Sequence, residues 1–181
     1  MGDFEFRGIN HLALVCSDMA RTVDFYEGVL GMPLVKTVEL PMETGQHFFF
    51  DCGNGDSLAF FWFRDGPVAA PGVASPAARP DTGDTTTAHG SMNHVAFNVD
   101  PDRIDGYLEK LRAAGIECSD VWNHDDSEWG ISREQHDGVF VRSIYFQDPD
   151  GILLEFAAWQ REIGRPGDVA HEPVRSSTIV N

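Results

Sequence analysis

A chain of 181 residues, 42% hydrophobic and 11% aromatic, is long enough for one well-packed domain or for two half-domains that share a core. Its formal net charge of −16 repels phosphate backbones and anionic lipid, so neither nucleic acid nor a membrane surface is an expected partner. No run approaches the roughly 18 apolar residues of a membrane span, MGDFEFRGIN carries no visible secretory signal, and Cys16, Cys52 and Cys118 are scattered with no CxxC, so a reduced, cytoplasmic protein is expected.

In chain order, Asn10-His11-Leu12-Ala13-Leu14 is a short apolar run that predicts a strand. Ser17 or Asp18 is suited to cap a helix, and Met19, Val23, Tyr26 and Leu30 form its apolar stripe, with Gly31 at its end. Three further strands are predicted near residues 34–39, 47–52 and 57–63. Residues 65–90, dense in Pro, Gly, Ala, Ser and Thr without apolar period, read as a linker loop. Asn93-His94-Val95-Ala96-Phe97 then repeats the opening run. Asp100 is a capping candidate, Ile104, Tyr107, Leu108 and Leu111 form a second stripe, and Gly115 ends it. Strands follow near 117–121, 138–146 and 152–158, and residues 161–181 read as a C-terminal tail. The order strand–helix–strand–strand–strand thus occurs twice, which predicts an α+β fold of two βαβββ modules, residues 7–64 and 91–160.

Of seven histidines, His89 in the linker and His171 in the tail read as solvated, and His124 as a loop residue among acids. His11 and His94 differ because they hold the same position in both repeats, near a pseudo-twofold axis. In a regular strand Asn10 and Asn93 would face away from them. Glu155, inside GILLEFAAW, is costly as an ionised carboxylate unless it is paired, with Arg142 as one partner, or bound to metal. Aligning GDSLAFFWF with GILLEFAAW sets Ala59 against Glu155, so the first half has no equivalent carboxylate. Two histidines and one carboxylate suit non-haem Fe(II), and Mn(II), Zn(II) or Co(II) fit the same ligands.

With these residues in place, residues 7–160 resemble the vicinal oxygen chelate superfamily of glyoxalases, bleomycin-resistance proteins and dioxygenases. Within it, His136, Ile144-Tyr145, Asp148-Pro149-Asp150-Gly151 and Glu155 resemble the signature of type I extradiol ring-cleaving dioxygenases, Glu134 being the one clear departure. His47, at the start of GQHFFFDCG, resembles the acid–base histidine of those enzymes.

The resemblance implies an open, β-barrel-like metal site with Fe(II) held by His11, His94 and Glu155, and Mn(II) or another divalent ion as an alternative. It implies cleavage of a catechol-like ring by O₂ in aromatic catabolism, with His47 moving the proton and Tyr145 and His136 contacting substrate. No other cofactor is implied. Phe49, Phe61, Trp122 and Trp129 are candidate apolar walls. Because the familiar extradiol enzymes have four modules, a single pair implies a homodimer. The alternatives are a non-oxidative lyase or isomerase with the same ligands, or a ligand-sequestering resistance protein.

Overall fold

The computed structural model describes residues 9–66, 78–83, 85, 92–162 and 168. Most of the expected linker and tail, with His89 and His171, lies outside the described residues.

Two mixed sheets carry the fold. In the first module β1 (His11–Val15) leads into α1 (Met19–Val23), which continues as a wider, π-helical turn over Asp24–Val29. Asp18 caps α1 by accepting the Arg21 N–H at 3.1 Å. Then come β2 (Leu34–Glu39), β3 (Gly45–Gly53) and β4 (Asp56–Phe63), and the sheet order is β1-β4-β3-β2 with β1 parallel to β4. The second module repeats this plan with β5 (Val95–Asn98), α2 (Ile104–Ala113), β6 (Trp122–His124), β7 (Ile131–Ser132), β8 (Val141–Gln147) and β9 (Leu153–Trp159). Its order is β5-β9-β8-β6-β7, with β5 parallel to β9.

The two-module α+β expectation holds, as two open sheets with no closed barrel among the described residues. Gly31 and Gly115, at φ of 71° and 76°, end the two helices as expected. The strand expected near 117–121 is not formed. Only Cys118 bridges to Phe146, and the pairing with β8 is taken by β6, a few residues later. Asp100 caps a turn, accepting from the Asp102 N–H at 2.9 Å, while α2 itself begins without a side-chain cap.

Period-two alternation divides the two faces of each sheet. Leu14, Phe50, Leu58 and Phe60 of the first sheet and Ile144, Phe146, Leu154 and Ala158 of the second join Tyr26, Ile104 and Leu111 in a single buried core. The opposite, open faces carry the polar candidates. The modules are pinned on the core side: the Tyr26 hydroxyl donates to Asp148 Oδ2 at 3.1 Å, Arg21 donates to Pro149 O at 2.8 Å, and Ser17 and Arg21 both bond Asp150. Among the described residues no helix is long and apolar enough to cross a membrane.

Candidate metal centre

The register of β5, β8 and β9 builds one polar cluster. Ala96 and Tyr145 both stand opposite Glu155, and Ser143 opposite Ala157, so Glu155, Tyr145 and Ser143 share the open face of the second sheet. His94, just before β5, reaches the same place, with its Nε2 2.9 Å from Glu155 Oε2. The Ser143 hydroxyl donates to Glu155 Oε1 at 2.5 Å. Burial acts to raise the Glu155 carboxyl, but the bonds from His94 and Ser143 outweigh it and hold the group below its usual range. Arg142 is not its partner. It lies on the other face of β8 and donates to Asp105 at 2.8 and 3.1 Å.

Tyr145 is walled by His94, Trp122 and His124, all edge-on at ring separations of 6.1–6.2 Å. Its hydroxyl lies 3.0 Å from His124 Nε2, and burial together with the Glu155 carboxylate pushes its pKa up, so the phenol keeps its proton. Sequence reasoning set His124 aside as a loop residue. The signal that would have found it is WNH, an alternating triplet that places Trp122 and His124 on one face of β6.

His11 sits on the open face of the first sheet. Val15 stands opposite Phe61 and Phe49 opposite Ala59, so His11, His47, Phe49 and Phe61 share that face. The His47 ring stacks on Phe61 at 3.6 Å and leans on Phe49 at 4.3 Å, and His11 meets Phe49 edge-on at 5.6 Å. Burial, and secondarily the nearby His11, lower the His47 pKa, and its Nε2 is buried without a hydrogen-bond partner.

The six predicted site residues therefore form three groups. His94, Glu155 and Tyr145 come together, His11 and His47 come together on the other sheet, and His136 joins neither. Its Nε2 lies 3.1 Å from Asp125 Oδ2, while Ser127 bonds the other oxygen of that carboxylate through both its N–H and its hydroxyl. His136 thus braces the loop that follows His124. Among the described residues no group of three or more His, Cys, Asp or Glu is gathered closely enough to hold a metal ion. Trp122 lines the polar cluster, and Trp129 is 83% exposed on the loop.

Two donors, His94 and Glu155, stand close enough to share one ion. Asn93 Oδ1 is 2.7 Å from His94 Nδ1, and Asn10 Oδ1 is 2.8 Å from His11 Nδ1. The Asn93 amide nitrogen donates to the Thr85 carbonyl, which turns its oxygen, an acceptor only, toward His94 Nδ1; that nitrogen then carries hydrogen, and a neutral ring leaves its Nε2 lone pair free. His94 then faces Glu155 lone pair to lone pair unless a cation, a proton or a metal ion, is shared between them. Two donors at right angles, each roughly 2.1 Å from one ion, stand about 3.0 Å apart. The 2.9 Å between Nε2 and Oε2 matches that spacing.

Paired βαβββ modules with polar open faces define a class that hosts several chemistries. The chain belongs to the Glyoxalase/Bleomycin resistance protein/Dioxygenase superfamily, whose model matches residues 8–156. It is 29% identical over 150 residues to the metallothiol transferase FosB of Lysinibacillus sphaericus, covering 83% of this chain and 81% of that protein. It is also 29% identical over 150 residues to the lactoylglutathione lyase of Haemophilus influenzae, covering 82% and 90% of the two chains. The crystal structure of a glyoxalase family protein from Enterococcus faecalis superposes with a TM-score of 0.57 at 26% identity, covering 84% of this chain and 98% of that one.

These relatives overturn the extradiol expectation. The relatives named here are a transferase and a lyase, which contradicts an Fe(II) dioxygenase, an oxidoreductase of aromatic catabolism taking a catechol and O₂. The physical reason lies in what the signature residues do. Asp148-Pro149-Asp150-Gly151 is the β8–β9 turn: Asp148 Oδ1 accepts the N–H groups of Asp150 and Ile152 at 2.9 and 2.8 Å, and Gly151 takes φ 81°. With Tyr26 on its second oxygen and His136 bracing a loop, most of the motif is scaffolding that different reactions can share.

Proposed function

We propose that the protein is a divalent-metal-dependent enzyme of non-oxidative type, a lyase, isomerase or thiol transferase acting on a small molecule. The observation that carries this reading is the His94–Glu155 pair, 2.9 Å apart, with the remaining nitrogen of one and the remaining oxygen of the other already occupied. His94, Glu155 and His11 would hold the ion, and when bound it supplies Lewis acidity toward an oxygen or sulfur of the substrate. Fe(II) and Mn(II) both suit this nitrogen–oxygen donor set.

The chain's own groups divide the remaining work. Tyr145, protonated and fixed against His124, offers its oxygen as a hydrogen-bonding point beside the pair. His47, kept neutral by burial, is a base with an unclaimed Nε2. Phe49 and Phe61 exclude water around it. The described parts of the two modules, within residues 7–64 and 91–160, each contribute one open face.

Because His11 does not join His94 and Glu155 within one chain, we place the complete centre between two copies, with His11 and His47 of one chain set against the cluster of the other. The first sheet's open face supports this, since Val15, Val38 and Phe63 are 58%, 37% and 40% exposed there.

The test is metal-stripped protein reloaded with Mn(II), Fe(II), Co(II) or Zn(II), assayed for lactoylglutathione formation and for thiol transfer from glutathione to small electrophiles. Activity that follows metal content and disappears in Glu155→Ala supports the reading. Metal-independent turnover, or full activity in Glu155→Ala, refutes it.

A further inference from the structure

Each of the three ligands proposed above has a neutral neighbour holding the atom that does not face the site. Asn10 Oδ1 holds His11 Nδ1 at 2.8 Å and Asn93 Oδ1 holds His94 Nδ1 at 2.7 Å. Ser143 holds Glu155 Oε1 at 2.5 Å, which leaves Oε2 toward His94. Asn93 is itself oriented, because its amide donates to the Thr85 carbonyl at 2.8 Å.

We infer that Asn10, Asn93 and Ser143 are the positioning residues of the metal centre, an inference that rests on the metal-dependent reading. The repeat is the main support. In a regular strand neighbouring side chains point to opposite faces, so an asparagine should not reach the histidine beside it. Here it does so in both modules. Asn10 stands before the first residue of β1, and Asn93 and His94 stand before β5, so the pleat does not constrain either asparagine. One such contact could arise from packing alone, but two at repeat-equivalent positions, each fixing the same tautomer, serve the histidine Nε2 atoms.

The choice of neutral neighbours has a chemical consequence. A carboxylate on Nδ1 draws the proton and makes imidazole a stronger donor, which quenches the charge of the ion. An amide fixes the ring without doing so. The donor set then carries only the one formal charge of Glu155, and a divalent ion keeps a net positive charge. Such a centre favours an anionic oxygen or a thiolate at its open positions over a neutral ligand.

Mn(II) titration calorimetry on the full chain tests this, with thermal melting of the metal-free protein alongside. Asn93→Ala and Asn10→Ala should each weaken Mn(II) on the order of 10- to 100-fold with unchanged metal-free melts, and Ser143→Ala should weaken it similarly with a lowered metal-free melt, because it leaves Glu155 Oε1 buried and unpaired. Asn10→Asp, which keeps the acceptor and adds charge, should bind Mn(II) at least as tightly as wild type. If wild type binds, Glu155→Ala does not, and the alanine variants at Asn10, Asn93 and Ser143 bind like wild type, the inference fails alone. In the two asparagine variants, weakened binding that tracks an equal loss of metal-free stability also overturns it, because the contacts would then be merely structural. A wild type that binds no Mn(II) removes the metal reading and this inference together.

Discussion

Mixing two inactive variants tests the division of the centre between two chains. His11→Ala removes the proposed ligand of the first sheet and Glu155→Ala a proposed ligand of the second, so each variant alone would lack a complete set. Random pairing of equal amounts makes about half of the dimers mixed, by the statistics of a twofold assembly. In a mixed dimer one site joins the two defects and the other joins His11 of one chain to the intact His94 and Glu155 of its partner. One site in two is whole, so the mixture should recover about one quarter of the wild-type tight sites, against none before mixing. The structure sets this expectation by keeping His11 and the His94–Glu155 pair in different sheets with no closed group of three among the described residues. The assay is Mn(II) stoichiometry by calorimetry after co-refolding, with activity read in parallel. If the mixture binds no more metal than its components, the centre is not shared and the argument from His11 collapses.

Two further outcomes follow from contacts outside the ligand set. Tyr26→Phe strands a buried Asp148 oxygen and should cost about 1–3 kcal/mol, read as a Tm lower by roughly 2–4 °C for each kcal/mol; an unchanged melt would show that the pin between modules contributes nothing. His47 has its pKa lowered from 6.5 in the folded chain, so the unfolded chain binds that proton more readily and stability rises with pH. Its contribution is present above pH 6.5 and is lost as the pH falls toward the folded value, so His47→Gln should flatten the acidic limb of a denaturant-midpoint profile; parallel profiles would contradict the burial argument.

Local pattern carried most of the fold. The repeated Asn-His openings, the two apolar stripes and the paired Gly31 and Gly115 depend on near neighbours, and the elements they predict are present. Glu155 was readable because a carboxylate in an apolar strand needs a partner. Which partner it has is a tertiary matter, since Arg142 lies one residue before Ser143 and therefore on the opposite face of β8. The strand expected at 117–121 yielded to β6, because pairing with β8 is decided by which segment reaches that edge, a preference weakly encoded in propensity. His136 was a candidate through its resemblance to the extradiol signature, yet its ring turns to Asp125, a choice made by loop geometry. The reaction class was the least legible, because the spacing of residues 136–155 records how a turn is built and says little of what is transformed above it.

That turn also acts as a ruler. Asp148 grips the N–H of Ile152, three residues before Glu155, while its other oxygen is held by Tyr26 of the preceding module. The height at which the Glu155 carboxylate emerges from its strand is thereby gauged from the first module's helix. A change in the helix that shifts Tyr26 would release one Asp148 oxygen and loosen the turn that leads into β9. Substitutions far from the open faces, on the helix at Tyr26 or Arg21, are therefore transmitted through one carboxylate to the strand that carries Glu155.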